Sequence, residues 1–390
     1  MKYQDNNALL IDYVNYSEMI LKLCQLTDQV DMKNYLLEVR KYYMTIQQNI
    51  NESDCFLALP NLKKILSLNK LEYQTLIFVT SMELSGYLRS LYQSLFQTGY
   101  LYYSSVFTLL KHIVKITYQE FMISLHQNKN YALLMRDDGT KPYYHMERYI
   151  LLQDYVASYI FDGQIFEMPG AQIIVTSDIY YLPLHQDIYT KLTFKPFQLW
   201  GRSGSGKHSL CYRYLQAHAY QCLLIDATLL DSIDLYDYSK YIIFQYQVFH
   251  FIPCFDHISE ASLLKLKVLL AMISYTDIPY ILISEDYIHI LENCHHIPDF
   301  LSQGEKQMII DKYPYLHDVK RELAVYHLNI ADMIYFIKLN TSLTHQDIIS
   351  YFYKQPIEQK YCTMVESHLN MTYWIGDESI QDKLNYFLYL

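Results

Sequence analysis

The chain has little glycine and no excess of positive charge. Glycine accounts for only ten of the 390 residues, and 31 Lys and Arg face 41 Asp and Glu, which gives a formal net charge of −10. Sequence-independent binding of nucleic acid depends on clustered Lys and Arg. This balance therefore argues against nucleic acid as a partner, although it leaves room for a local basic patch.

The sequence also lacks long apolar runs and paired cysteines. No apolar run approaches the roughly 20 residues that span a bilayer, and the first residues show no apolar core of a cleavable signal. The seven cysteines include no CxxC pair, which favours a reducing compartment. With 51% hydrophobic residues, the chain can fill the cores of two or three domains. We expect a soluble, cytoplasmic protein without a membrane segment.

The first 163 residues follow a mostly helical pattern that ends in a small hairpin. Apolar residues recur at three- and four-residue steps, and a turn signal at Asp138 and Gly139 separates two short strands. The predicted elements, in chain order, are a helical hairpin over residues 8–49, short helices over 59–97 with breaks near 67–69 and after Phe96, a helix over 105–115, strands over 131–135 and near 145–151, and a helix closed by Gly163. Helices followed by a two-stranded wing are the order of a winged-helix domain.

Many winged-helix domains bind DNA, but this one has few basic side chains. Across residues 104–115, the region that would recognise DNA, only Lys111, His112 and Lys115 are basic. Specific DNA binding uses many phosphate contacts. We therefore expect the wing to pack on a neighbouring domain and not to bind DNA.

Three of the ten glycines fall within six residues of each other in the stretch FQLWGRSGSGKHSLCYRYL, residues 197–215. Glycine permits positive φ and a close approach of the backbone to a ligand. The spacing Gly201-x4-Gly206-Lys207 is that of the Walker A motif, in which backbone N–H groups surround the β-phosphate and the lysine reaches the outer phosphates. The predicted nucleotide-binding residues are consecutive: Gly201, Arg202, Ser203, Gly204, Ser205, Gly206, Lys207, His208 and Ser209.

The residues after this loop alternate between helical and strand patterns. The predicted elements are a helix over 207–218, a strand over 222–230, a strand ending at Asp256, a helix over 259–274 and a strand over 279–286. This alternation indicates a parallel sheet with helices on both faces. The loop follows the first strand of that sheet, at the edge where such sheets bind ligands.

Three polar residues at strand ends are the candidates for catalysis. Asp256 follows the apolar run 251–255 and stands where a Walker B aspartate would hold Mg²⁺, directly or through water. His257 follows it; a histidine can take a proton, but we favour the interpretation that a catalytic base has been lost. Ser284, late in the next strand, is either a sensor of the γ-phosphate or an ordinary strand-end serine.

The residue after the loop lysine departs from the motif. The motif has Ser or Thr there to ligate Mg²⁺, and this chain has His208. Mg²⁺ takes hard oxygen ligands in octahedral geometry, so an imidazole replaces a hydroxyl poorly. Ser209 is turned by about 100° around the helix and cannot take its place. We expect nucleotide binding to persist and hydrolysis to be weak or absent.

In this order the motifs resemble those of a bacterial family of AAA-type ATPases with an N-terminal winged-helix region, often encoded with phage-tail-like contractile injection systems. The segments that resemble the family are LPNLKKILSLNKLEYQTLIFVTSMEL with Glu72 and Glu83 at its acidic positions, YALLMRDDG with HMERYILLQDYVASYIFDG, the loop residues 201–207, CLLIDATLL, FIPCFDHIS, YILISED, and LSQGEKQMIIDKYPYLHD with ELAVYHLNIADMIYFIKL. His208, His257 and the missing arginine in NIADMIYF depart from the family pattern.

The resemblance implies a mixed fold in which an α-helical winged-helix region precedes an α/β P-loop domain with a parallel sheet and a small helical lid. The implied regions are residues 1–163 for the winged-helix part, 164–185 for a linker, 186–297 for the AAA-like core, 298–356 for the lid and 357–390 for a helical tail. Family members often hold two ATPase modules, and this chain would then carry the first, degenerate one. The closing residues, with Trp374 and Asp377, resemble the lead-in to the second.

Three functions are compatible with these residues. The first is a protein that binds ATP or ADP, with Mg²⁺ as a possible companion, and works as an accessory subunit beside a separate AAA ATPase or as an oligomer of itself. The second is a slow ATPase that uses His257 or another base. The third is an adaptor whose loop is a relic and whose winged-helix region makes protein contacts.

Overall fold

The computed structural model describes residues 2–127, 129–137, 148–174, 184–339 and 343–354. The chain divides into two compact units. The first is Met1–Leu301 together with Asn329–Asp332, and the second takes in Ser302–Leu328 and the residues from Met333 onward. The glycine-rich loop and both predicted catalytic strand ends belong to the first unit.

The first part of that unit is helical, as predicted. Its helices are α1 (Asn6–Leu23), α2 (Gln29–Glu52), α3 (Ala58–Ile65), α4 (Lys70–Leu84), α5 (Gly86–Phe96), α6 (Tyr103–Leu110), α7 (Tyr118–Gln127), α8 (Lys129–Leu134) and α9 (Asp154–Asp162), with a π-helical turn at Lys111–Lys115. Asp5, Asp28 and Asn69 accept N–H groups at the starts of α1, α2 and α4. The predicted helical hairpin is α1 and α2, and Gly163 ends α9 with the predicted left-handed φ of 63°.

Helix α4 is the central helix of this region. Every residue from Leu71 to Met82 is buried, and Asn69 and Glu72 form a reciprocal capping box at its start. A helix that is buried on all sides has neighbours all around it. Helices α1, α5, α6 and α7 contact α4.

The predicted strand over 131–135 is wrong for most of its length. Residues Lys129–Leu134 form α8, and the strand β1 is Met135–Asp137. Alanine and leucine favour the helix here, and the Tyr155 hydroxyl donates to the Leu133 carbonyl oxygen at 2.7 Å. Strand β2 (Ile150–Leu152) pairs antiparallel with β1. The predicted turn at Asp138 and Gly139 lies outside the described residues, and the winged helix stays a prediction.

The rest of the first unit is built on a six-stranded sheet. Its strands are β3 (Ala171–Ile174), β4 (Phe197–Trp200), β5 (Gln221–Asp226), β6 (Phe251–Asp256), β7 (Ile281–Ser284) and β8 (Cys294–His296). They lie in the order β3-β5-β6-β7-β4-β8. All neighbours pair in parallel except β3, which runs antiparallel to β5. The predicted parallel sheet is confirmed, and β3 is an addition to it.

Helices cover both faces of this sheet. They are α10 (Gln186–Tyr189), α11 (Lys207–Ala217), α12 (Leu235–Phe249) and α13 (Glu260–Ser274). Alternate residues of β6 point to opposite sides: Phe251 and Phe255 join the core that includes α12 and α13, whereas Ile252 and Cys254 join the core that includes α11. The predicted strand over 222–230 is too long, because Asp226 accepts the Thr228 N–H and starts a 3₁₀ turn at Ala227–Ser232.

The second unit is helical in its described residues. It contains α14 (Gln303–Lys312), a 3₁₀ turn at Pro314–Val319, α15 (Lys320–Val325), the greater part of α16 (Ile330–Leu339) and α17 (His345–Lys354). The buried Lys306 ammonium donates to the carbonyl oxygens of Ala324 and Tyr326 at 3.2 and 2.6 Å. That lysine thus ties α14 to the end of α15. Within the described ranges, no helix combines the length and apolar character needed to cross a membrane.

Candidate functional site

The glycine-rich loop connects the end of β4 to the start of α11. Strand β4 lies between β7 and β8, and Asp256 ends β6 on the far side of β7. Parallel strands end at a common edge, so the loop, Ser284 and Asp256 meet there. The sequence had placed all three at strand ends, and the sheet order explains how residues far apart in the chain come together.

Each of the three loop glycines has positive φ and closely packed surroundings. The φ angles are 149° at Gly201, 81° at Gly204 and 99° at Gly206. A Cβ added at Gly201 would lie 2.6 Å from the Ile297 carbonyl oxygen, and one at Gly204 would lie 2.8 Å from Asn329 Nδ2. Only glycine fits these positions without strain. The Gly204 carbonyl oxygen also accepts the N–H groups of Ile330 and Ala331, so the segment Asn329–Asp332 holds the loop.

Lys207 is folded back onto the loop it follows. Its ammonium donates to the carbonyl oxygens of Gly201 and Arg202, the second at 2.8 Å. Burial lowers the pKa of this lysine, and the carboxylates of Glu285, Asp256 and Asp299 partly offset that effect. Because α11 begins at Lys207 with no side-chain cap from Gly206, its first N–H groups are available to an anion.

His208 and Asp256 form a direct hydrogen bond. His208 Nε2 lies 2.7 Å from Asp256 Oδ2, and the His257 N–H donates to Asp256 Oδ1 at 2.8 Å. The His257 backbone has a left-handed φ of 53°. Its ring atom Nε2 lies 3.7 Å from Asp256 Oδ2. Burial raises the pKa of Asp256, but the hydrogen bond and charge of His208 and the contacts of His257 outweigh it, so the pKa lies below its ordinary value.

The Ser284 hydroxyl is hydrogen-bonded to two neighbours inside the protein. Gln198 Nε2 donates to its hydroxyl at 2.7 Å, and the hydroxyl donates to the Asp286 carbonyl oxygen at 2.6 Å. The residue is buried. Its hydrogen atom is therefore committed to a backbone oxygen, which favours the strand-end interpretation over that of a phosphate sensor.

The remaining loop residues divide between exposed and buried positions. Arg202 and Ser203 are exposed, and Arg202 Nε lies 3.3 Å from an Asp299 carboxylate oxygen. Ser205 is buried, and its hydroxyl has no hydrogen-bond partner among the described residues. Ser209 does not reach Asp256; it lines a cavity of about 10 Å³ with His185 and Ile330, among others. A buried hydroxyl without a partner is costly.

The donor set at Asp256 does not fit Mg²⁺. Both carboxylate oxygens already accept hydrogen bonds, and the neighbouring side chain is an imidazole where a hydroxyl oxygen is needed. Across the described ranges, no group of three or more His, Cys, Asp or Glu side chains is arranged to hold a metal ion. The predicted Mg²⁺ role of Asp256 finds no support in this geometry, whereas the loop itself fits a phosphate.

Several residues at the site did not stand out in the sequence. Gln198 is fully buried in an otherwise apolar strand, and a polar residue in such a strand is a usable signal. Asn329 and Asp332 exchange the two bonds of a capping box, at 2.9 and 2.8 Å, which the spacing Asn-x-x-Asp predicts. His185, whose Nε2 lies 2.9 Å from the Ser205 carbonyl oxygen, has no comparable signal because it is distant in the chain.

The arrangement as a whole is a largely parallel α/β domain that carries a glycine-rich loop between its strand β4 and helix α11. No family model matches the chain, and no curated protein sequence matches it. Among solved structures, it is similar in part to AMPPCP-bound DnaA from Aquifex aeolicus, with a TM-score of 0.31 and 11% identity over 43% of this chain and 62% of that one. It is also similar in part to PCH-2 from C. elegans, with a TM-score of 0.28 and 9% identity over 45% and 64% of the two chains.

The chain spans less than two thirds of the length of either protein. At these TM-scores neither likeness supports a function for this chain.

Proposed function

We propose that this chain is an AAA-like protein that binds ATP or ADP and hydrolyses it weakly or not at all. The observation that carries the proposal is the loop itself: three positive-φ glycines lead into the uncapped start of α11, with the Lys207 ammonium beside them. Helix N-termini and lysines of this kind bind phosphate groups. The phosphates would contact the first N–H groups of α11 and Lys207.

Weak hydrolysis follows from the groups that surround Asp256. A water-activating base needs a lone pair near the γ-phosphate, and the candidate His257 contacts Asp256 instead. Asp256 would contribute by holding the Mg²⁺ that neutralises charge on the phosphates, but both of its carboxylate oxygens already accept hydrogen bonds, from His208 and from the His257 N–H. The chain therefore holds phosphates better than it cleaves them.

The process that we propose is ATP-dependent assembly or remodelling, with this chain as an accessory subunit. Its partners would be other protein subunits: a separate AAA ATPase, or further copies of itself. Arginines that could act across a subunit interface are scarce after residue 200, where only Arg202, Arg213 and Arg321 occur. This scarcity suits a subunit that binds nucleotide while another subunit performs hydrolysis.

A thermal-shift titration with ATP and ADP tests the binding proposal. A ligand that binds only the folded state increases the free energy of unfolding, by about 2.7 kcal/mol at a concentration 100 times its Kd. The melting temperature rises as a result. We expect both nucleotides to raise it, and Lys207→Ala to remove the rise because the phosphates lose their lysine. Lys267→Ala removes an exposed lysine on α13 and serves as the matched control. The absence of any shift at millimolar nucleotide in the unmodified protein would refute the proposal.

One observation favours the adaptor as the second candidate. All three loop glycines are packed against protein atoms, from Ile297, Asn329 and Ile330, so their conformation also serves the fold. An adaptor with a relic loop would show no nucleotide-dependent shift and would still form a stable complex with a partner in a pull-down. The same titration thus separates the two candidates.

A further inference from the structure

We propose that the nucleotide bound by this loop binds without Mg²⁺, because the hydrogen-bonded pair of His208 and Asp256 stands where the metal would be held. This inference rests on the proposed nucleotide binding and narrows it to a ligand class: a metal-free nucleoside diphosphate or triphosphate. The observation behind it is a disagreement between two neighbouring groups. The glycine-rich loop fits a phosphate, whereas Asp256 with its partner His208 does not fit Mg²⁺.

The pair removes both protein groups that a metal would need. Asp256 Oδ2 lies 2.7 Å from His208 Nε2, and Oδ1 accepts the His257 N–H at 2.8 Å. Mg²⁺ binds at about 2.0–2.1 Å with strict octahedral geometry, so it would have to displace a hydrogen bond to an ionised carboxylate. Bonds of that kind are roughly twice as strong as neutral ones. The imidazole offers no hard oxygen in return.

The alternative hydroxyl does not compensate. Ser209 follows His208 on α11, but it lines a small cavity with His185 and Arg213 and makes no bond to Asp256. The pair is also held from a second side, because the His257 ring approaches the same carboxylate to 3.7 Å. Asp256 is therefore hydrogen-bonded from two places in the chain, by His208 on α11 and by the backbone of His257 after β6.

The charges around the loop allow phosphate binding in the absence of a metal. Lys207 is placed at the loop carbonyls, and Arg202 is exposed beside it with Asp299 at 3.3 Å. The N-terminus of α11 adds the equivalent of about half a positive charge. Asp256, whose carboxylate would otherwise be free to repel the phosphates, is hydrogen-bonded to the His208 ring.

The first experiment measures ADP binding by calorimetry in excess EDTA and in excess MgCl₂. Mg²⁺ complexes ADP in solution, so a site that takes only the metal-free nucleotide should show a higher apparent Kd in MgCl₂ than in EDTA. An equal or lower Kd in MgCl₂ would overturn this inference and leave the proposed function standing. Absence of binding in both buffers would overturn the proposed function itself.

The second experiment restores a hydroxyl with His208→Thr. This change frees Asp256 Oδ2 and supplies an oxygen ligand, so we expect ADP to bind about ten-fold more tightly with MgCl₂ than with EDTA. His289→Thr, at an exposed histidine of the same unit, should keep the weaker binding in MgCl₂ that we expect of the unmodified protein. A His208→Thr protein that binds ADP no more tightly in MgCl₂ than in EDTA would contradict the assignment of His208 as the excluding group.

Mn²⁺ provides a readout on the unmodified protein, which does not require the His208→Thr protein to fold. With ADP and Mn²⁺ present, we expect the unmodified protein to give no more water-proton relaxation enhancement than a Lys207→Ala control that lacks the phosphate contact. An enhancement that appears with the unmodified protein alone would show a metal held at the site and would refute the inference.

Discussion

Gly201 is the loop glycine at which an added side chain would clash with a backbone atom. Its φ of 149° is unfavourable for other residues, and an added Cβ would lie 2.6 Å from the Ile297 backbone oxygen, which cannot rotate away. Backbone strain of this kind costs about 1–3 kcal/mol. We therefore expect Gly201→Ala to lower the free energy of unfolding by at least that amount, measured in urea.

Gly86 provides the control for this prediction. It lies in the same unit, at the start of α5, and a Cβ there meets nothing within 4 Å. Gly86→Ala should change the free energy of unfolding by less than about 0.5 kcal/mol. Equal urea midpoints for the two variants would show that the contact with Ile297 does not constrain position 201.

The ionised form of Asp256 stabilises the fold. Its pKa is depressed below the ordinary value of 3.8: burial opposes this shift, and the His208 bond, with help from His257, produces it. A group with a depressed folded pKa contributes stability above its unfolded pKa and loses it as the pH falls through the folded value. The contribution should thus be complete near neutral pH and disappear below about pH 4.

Asp256→Asn tests this dependence, because an amide stays neutral at every pH. We expect the variant to unfold at lower urea concentration than the unmodified protein at pH 7, and the gap between the two to narrow as the pH falls from about 4 towards 3. Asp231→Asn, at an exposed carboxylate, serves as the control. A gap that is the same at pH 7 and at pH 3 would contradict the role given to the ionised form.

At the level of residues, the sequence was informative where a motif is contiguous. Glycine spacing and the following lysine predict the loop, because one turn between a strand and a helix contains all of them. Asp256 was found because it ends an apolar strand. His185 and Asn329 reach the loop only through the return of the chain, which no local pattern encodes.

Among the helices, α1 and α4 are joined by two buried hydroxyls. The Tyr13 and Tyr73 hydroxyl oxygens lie 2.6 Å apart, and burial raises the pKa of both. Removing one partner leaves the other buried hydroxyl unsatisfied, which costs about 1–3 kcal/mol. We expect Tyr73→Phe to lower the free energy of unfolding by this amount, and Tyr13→Phe combined with Tyr73→Phe to recover most of the loss.

The same pair has a signature at high pH. A tyrosine whose folded pKa is raised contributes stability below its unfolded pKa of about 10, and loses it as the pH rises towards the folded value. Urea midpoints measured from pH 8 to 11 should therefore fall more steeply for the unmodified protein than for the double phenylalanine variant. Parallel curves would argue against the burial of these hydroxyls.

Element types were predicted well where the period is long and clear, and poorly at boundaries. Strands β4, β6 and β7 were found because buried parallel strands are nearly continuous apolar runs. Strand β5 was predicted too long because Leu229 and Leu230 continue the apolar run, although Asp226 has already started a turn. Helix α8 was mistaken for a strand because a short apolar run has no decisive period.

Across the first unit, the N-terminal helices and one face of the sheet share a single hydrophobic core. That core extends from Tyr3 and Tyr13 to Phe255 and Leu282. The predicted division at residues 163 and 186 stays a prediction, but a shared core couples the two regions energetically. Loss of packing where they meet should therefore destabilise both the N-terminal helices and the sheet.

Phe244 on α12 is the residue through which this coupling can be tested. It is fully buried, and its ring lies 5.0 Å from that of Tyr155 and 6.1 Å from that of Tyr159, both on α9. Replacing a buried phenylalanine by alanine costs about 3–5 kcal/mol. In the full chain, we expect Phe244→Ala to reduce amide hydrogen-exchange protection in α4 and in β6 by similar factors, since both would open with the common core.

The control removes an equally apolar side chain from the surface. Leu264 on α13 is 71% exposed, so Leu264→Ala should leave the protection of α4 and β6 unchanged. If Phe244→Ala lowered protection only near α12 and β6 while α4 kept its own, the helices and the sheet would unfold as separate cooperative bodies. Joint loss would instead mean that the region around α4 contributes to the stability that positions the glycine-rich loop, because that loop follows strand β4 of the same sheet.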